Sequence, residues 1–118
     1  YHALLERPME AGKEGEIRLP LRPDFEDRPR QMVDKVHGKP ALTRYRVLGN
    51  KDGHALLQLS PVTGRTHQLR VHCAHPQGLN NPIVGDRLYG RPSERLMLHA
   101  FSIEMEGQTF KDTMNCEL

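Results

Sequence analysis

Apolar and polar residues alternate most regularly between Ala41 and Gly49, with Thr43, Tyr45 and Val47 on one face and Leu42 and Leu48 on the other. A period of two over such a run predicts a half-buried β-strand. Asn50-Lys51-Asp52-Gly53 follows as a hairpin turn, its Asp-Gly pair suited to the positive φ such turns require. His54 to Ser60 then returns antiparallel, and Pro61 to Gly64 makes a second turn. Earlier in the chain, Tyr1 to Arg7 and Gly15 to Leu19 read as strands joined by a turn-like Met9 to Glu14. Pro20 to Arg30 carries three prolines among several charges and reads as a loop, while Gln31 to Val36 reads as a brief strand closed by Gly38 and Pro40. Beyond Gly64 the period changes. Leu69 and Cys73 lie one helical turn apart, and Val71 and Ala74 nearly so on another side. This predicts a helix to about His75, packed between two layers and capped by the Thr66 hydroxyl. Pro76 to Asn81 ends it, and Pro82 to Gly90 is a compact loop. Leu96 to Glu106 reads as a strand, and Thr109 to Cys116 adds one more. Many strands with one main helix give an α+β fold with a mixed or antiparallel sheet.

The 118 residues suit one domain, and a chain of this size buries roughly two thirds of its unfolded surface. An apolar share of 36% is low for a self-sufficient core and suits part of a larger domain. No apolar run approaches the ~20 residues that span a bilayer, and no signal-peptide pattern opens the chain. Two cysteines, Cys73 and Cys116, make no disulfide framework, which points to a reducing compartment, by default the cytoplasm. The net charge of +2 announces no nucleic-acid binder, but it is unevenly spread. Between residues 61 and 95, Arg65, Arg70, Arg87, Arg91 and Arg95 face only Asp86 and Glu94, whereas many acids crowd the opening third. A basic face on a near-neutral domain can make phosphate contacts, or it can simply be solvated.

The run Gly64-Arg65-Thr66-His67-Gln68-Leu69-Arg70-Val71-His72 carries the most chemistry. It sets an arginine on a tight turn that opens a helix, where a fixed guanidinium fork can hold a carboxylate or phosphate. The plain alternative is a structural salt bridge near a helix start. Zinc is a weaker reading of His67, His72, His75 and Cys73, because residues five apart are splayed around a helix and the cysteine lies off the His72–His75 face. Gly64 lacks the glycine spacing of a nucleotide-phosphate loop. Asp86 reads as a residue bracing its own loop through a backbone amide or a nearby arginine.

Three segments together resemble one family. They are the Gly64–His72 run, then Pro82-Ile83-Val84-Gly85-Asp86-Arg87-Leu88-Tyr89-Gly90, then Arg95-Leu96-Met97-Leu98-His99-Ala100. In order and spacing they look like the RluA-type RNA pseudouridine synthases, apart from a slightly lengthened link at Gln77 to Asn81. Tyr1-His2-Ala3-Leu4-Leu5-Glu6 is similar to the family's tyrosine-bearing strand, and Gly38-Lys39-Pro40-Ala41-Leu42-Thr43-Arg44-Tyr45 is also family-like.

The resemblance implies an isomerase that turns uridine within ribosomal or transfer RNA into its carbon-linked isomer, with no metal or organic cofactor. Residues 1–118 are then expected to be the C-terminal portion of a single catalytic domain. The family's catalytic aspartate sits in a motif like His-Arg-Leu-Asp, upstream of the tyrosine strand, and no such motif occurs here. The chain alone is therefore expected to be inactive, and a non-catalytic RNA-binding module is the alternative reading. By resemblance, Arg65 holds the aspartate ionised, and Tyr1 stacks on the flipped uracil and helps remove the proton from carbon 5. Leu98 supplies an apolar floor beneath the base, or is simply core. His67 and Gln68 contact RNA or finish the turn. Arg70, Arg87 and Arg91 are candidate phosphate contacts. RNA is the expected partner, with no membrane and no metal. A partial sheet leaves an edge through which two copies can pair in a crystal.

Overall fold

The strongest alternation in the chain forms the longest hairpin, β5 (Leu42–Lys51) with β6 (His54–Pro61). Asp52 and Gly53 turn it with φ of 53° and 83°, the double positive φ of a two-residue turn, so that Lys51 pairs with His54. On β5, Thr43 and Val47 are buried and Tyr45 half-buried, the face the alternation predicts. Register slips between Val47 and Gly49, so Leu48 is left out of the ladder and is 43% exposed.

The computed structural model describes residues 1–91, 95–100 and 113–114. Around the hairpin lie β1 (His2–Leu5), β2 (Glu14–Arg18), β3 (Leu21–Pro23), β4 (Gln31–Val33), α1 (Gln68–Ala74), β7 (Leu98–Ala100) and β8 (Thr113–Met114). Six strands make one sheet in the order β2-β5-β6-β1-β7-β8, and every described pairing is antiparallel. The fold is α+β, with the sheet antiparallel where the sequence left a mixed one open. The remainder of the predicted strands at Leu96 to Glu106 and Thr109 to Cys116 lies outside the described residues.

Pro20 to Arg30 departs from expectation. It contains β3, which pairs with β4 as a separate two-stranded ribbon and is bridged by Leu21 to Lys39. Prolines are tolerated because Pro20 enters only through its carbonyl, which accepts from the Asp34 amide at 3.1 Å, and Pro23 ends the strand.

The helix is held between these layers, as its two apolar sides predict. Leu69 and Cys73 join Ala3, Leu5, Val47, Leu57 and Ile83 in the main core, while Val71 packs with Leu21 and Ala41 beneath the ribbon. Its start differs from expectation. The residue before the helix is His67, at φ 55°, and no side chain caps it. Thr66 is exposed, and its predicted cap does not form.

Candidate active site

The C-terminal end of β6 organises the predicted residues. Tyr1 extends β1 by donating its amine to the Leu59 carbonyl at 2.9 Å and accepting the Leu59 amide at 2.7 Å. Its ring packs on the main core. Leu98 pairs with Ala3 on the other side of β1, is fully buried and belongs to that core. Two residues past Leu59 the strand ends at Pro61, and the chain turns toward Arg65. Tyr1, Leu98 and the approach to α1 therefore share one end of the sheet.

Arg65 is held at its backbone by Gln68. The Gln68 amide donates to the Arg65 carbonyl at 3.0 Å, and Gln68 Oε1 accepts the Arg65 amide at 3.0 Å. The latter bond reaches back three residues, past His67, so it ties the turn and does not cap the helix. Gln68 is itself fixed deep in the chain. Its Oε1 also accepts from Thr63 Oγ1 at 2.6 Å, and its Nε2 donates to the Leu42 carbonyl at 2.8 Å and to Thr43 Oγ1 at 2.9 Å. Thr43 Oγ1 donates to His72 Nδ1 at 2.8 Å, and His72 Nε2 donates to the Leu19 carbonyl at 3.0 Å. That pattern requires a neutral His72 protonated at Nε2, and burial holds its pKa below the ordinary histidine value. The chain of bonds runs from β2's end through β5 and α1 to the Arg65 amide.

With its backbone pinned, the Arg65 side chain leans along the surface. Nε donates to the Pro40 carbonyl at 2.9 Å, and the half-buried guanidinium lines a groove of about 510 Å³ with Arg22, Phe25, His37 and Lys39. Among the described residues Arg65 makes no ion pair. Arg22 is paired with Asp34, so Lys39 and Arg65 give the groove its positive charge, and the Arg65 guanidinium is held by a single anchor.

A second brace lies behind the first. Arg70, 8% exposed, grips the fully buried Asp86 through Nε and Nη2 at 3.2 and 2.7 Å. Asp86 Oδ1 also accepts the Leu88 and Tyr89 amides at 3.1 and 3.2 Å, the loop-bracing role read from the sequence. Tyr89 closes the circuit: its hydroxyl accepts the Gln31 amide at 2.8 Å and meets His67 Nδ1 at 2.9 Å. Burial pushes the Tyr89 phenol above its ordinary pKa. Of the two readings of Gln68, the structure shows the one that finishes the turn, and Arg70, a candidate phosphate contact, is turned inward onto the Asp86 loop. Arg87 and Arg91 are exposed. Cys73 is buried in the core, where desolvation raises its thiol pKa, and among the described residues no cluster of three or more His, Cys, Asp or Glu side chains is arranged for a metal. No described helix is long and apolar enough to cross a membrane.

Sequence reasoning did not single out Arg22, Phe25 or Tyr89. Lys39 and Tyr89 stood within family-like segments, so a signal was present. Phe25 sat in a stretch dismissed as loop.

A family model described as RNA pseudouridylate synthase matches residues 1–75. The chain belongs to the RNA pseudouridylate synthase family. Among curated members, it is 45% identical over 105 residues to the dual-specificity RNA pseudouridine synthase RluA of Vibrio cholerae, covering 85% of this chain and 41% of that protein. It is 41% identical to the Escherichia coli protein of that name, with 86% and 48% covered. It is also 47% identical to the ribosomal large subunit pseudouridine synthase D of Borreliella burgdorferi, with 70% and 26% covered. Among solved structures, human RNA pseudouridylate synthase domain containing 4 superposes with a TM-score of 0.52 at 29% identity, over 86% of this chain and 41% of that one. The chain thus spans less than half the length of these synthases. Of the three motifs by which the sequence resembled the RluA type, the first carries Arg65 and α1, the second forms the Asp86 loop bound to α1 through Arg70, and the third forms β7 beside β1.

Proposed function

We propose that these residues form the arginine-bearing side of an RNA pseudouridine synthase active site, acting on uridine in ribosomal or transfer RNA in the cytoplasm. The observation that carries the reading is Arg65. It is a guanidinium fixed at its backbone and at Nε, facing a basic groove, with no carboxylate partner among the described residues. An aspartate from elsewhere in a longer protein suits this guanidinium in charge, because its two terminal nitrogens can donate parallel bonds to a carboxylate. Beside a fixed positive charge the carboxylate stays ionised, with its pKa lowered by ~1–3 units. That keeps it available to attack the nucleoside while the uracil is detached, turned and rejoined through carbon 5.

Tyr1 then lies beside the turned base and takes part in removing the proton from carbon 5, its strand fixed by the ladder to Leu59. Leu98 supports that strand from the core below. Gln68 and Arg70 act as positioning residues, holding the Arg65 turn and the Asp86 loop, and Arg87 and Arg91 meet phosphates from their exposed positions. RNA supplies the negative partner for the groove.

The test is tritium release from RNA labelled at carbon 5 of uridine, using the longer protein that carries the carboxylate segment. Release is expected with the unmodified protein. Arg65→Met is expected to lower it by about 100-fold or more, the scale set by losing orientation and charge at a reacting group. Turnover unchanged by Arg65→Met removes Arg65 from the mechanism.

A further inference from the structure

Phe25 stands out among the groove's residues, because nothing in the packing accounts for it. It belongs to neither apolar cluster and is 62% exposed. Two cations nevertheless lie against its ring, the Arg22 guanidinium 5.6 Å and the Arg28 guanidinium 5.4 Å from its centroid. Arg22 cannot swing away, since Nε donates to Asp34 Oδ2 at 2.7 Å and Nη1 to the Pro23 carbonyl at 2.8 Å. Asp34 is held in turn by the Val36 and His37 amides, both at 2.9 Å, and these bonds with Arg22 keep its carboxyl well below the usual range.

The loop that carries the ring is also braced. The Asp24 amide donates to the Arg30 carbonyl at 2.8 Å, the Glu26 amide to Asp24 Oδ1 at 3.1 Å, and the Arg30 guanidinium to the Leu88 carbonyl. Arg30 lies over Tyr89, 5.2 Å from its centroid, which ties the ribbon to the Asp86 loop. The acids of this loop offset its own arginines, so the loop by itself does not draw an anion. Attraction comes from Lys39 and Arg65, which line the same groove.

We propose that Phe25 is a stacking platform for an unpaired nucleobase flanking the target uridine, with Lys39 holding the intervening phosphate. This inference rests on the functional reading above and adds a second base-binding position to it. An exposed ring resting against the anchored Arg22 guanidinium has part of its freedom already restricted, which lowers the cost of stacking, and its apolar surface has no other use in the described residues. A positively charged groove beside an aromatic face is the arrangement that binds single-stranded nucleic acid, where one stacked base contributes ~1–3 kcal/mol. A paired base has its faces covered by its neighbours and gains nothing from the ring.

The experiment uses the longer, active protein and two RNAs of the same length: a hairpin with a uridine-rich loop, and a fully paired duplex. Binding is read by fluorescence anisotropy. Phe25→Ala is expected to weaken hairpin binding ~5- to 150-fold, the range that one lost base stack corresponds to, and to change duplex binding less than about twofold. Phe25→Trp is expected to restore hairpin binding, whereas Phe25→Leu, apolar but without a π face, is expected to remain weak. Hairpin binding unchanged in Phe25→Ala, equal loss on both RNAs, or full rescue by leucine overturns the inference while leaving the enzymatic reading intact. An unmodified protein that neither binds nor isomerises RNA overturns both.

Discussion

Thr43 is the smallest group on which the Arg65 turn depends. One hydroxyl donates to His72 and accepts from Gln68, and all three residues are buried. Thr43→Val keeps the shape and the β-branch but orphans a ring nitrogen and an amide proton. Each unmet group costs about 1–3 kcal/mol, so urea unfolding of the longer protein should show a loss of that order. His72 adds a pH dependence. Its folded pKa lies below the ordinary value of 6.5, with burial the main cause, the Leu19 carbonyl opposing and His75 assisting. Below about that pH the unfolded chain takes up a proton that the folded chain refuses. Stability should therefore fall as pH drops from 6.5 toward the folded value, by at most about 1.4 kcal/mol per pH unit for one proton. His75 is shifted the same way, by burial and Lys35, so the comparison that isolates His72 is the pH dependence of wild type against His72→Asn. A slope identical in both proteins contradicts the assignment. Only the turn-finishing role of Gln68, one of its two readings, was legible in the sequence. Thr43 reads as a face of a strand, and the rest of the network is hidden because hydrogen-bond partners 25 residues apart leave no local pattern.

Among the elements, legibility followed how local the determinant is. The β5–β6 hairpin could be read from alternation and an Asp-Gly pair, both of which act within a few residues. Gly53→Ala, at φ 83°, should destabilise by roughly 1 kcal/mol, checked by the same unfolding curves. Helix α1 was found from its spacing, with both apolar sides correctly assigned, since Leu69 and Val71 do enter different clusters. Its start was not. Thr66 has the right chemistry for a cap, but the turn is closed by Gln68 reaching backward, and His67 takes the left-handed conformation. Of the ribbon, β4 falls within the strand read at Gln31 to Val36, whereas β3 was hidden by its prolines, which count against a strand in general and not at its ends. Behind the helix, Asp86 neutralises Arg70 in the interior. Asp86→Ala removes the carboxylate that faces this buried cation and should cost about 3–5 kcal/mol, far more than an exposed pair would.

Across the described residues, β6 runs from its pairing with Tyr1 at Leu59 to its end at Pro61, and the chain then turns to Arg65, whose guanidinium lines the groove beside the ribbon. The residues that resembled a synthase in sequence were scattered from Tyr1 to Ala100, and only the fold explains their company: β6 pairs Tyr1's strand and delivers the chain to Arg65. What the fold contributes to catalysis, on this account, is a guanidinium held still for a carboxylate brought by another part of the longer protein. The most direct measurement is the pKa of that carboxylate, followed by carbon-13 NMR in the longer protein with and without Arg65→Met. The account predicts a pKa about 1–3 units higher in the variant, because the opposite charge that favoured ionisation is gone. A carboxylate that titrates at the same pH in both proteins contradicts it.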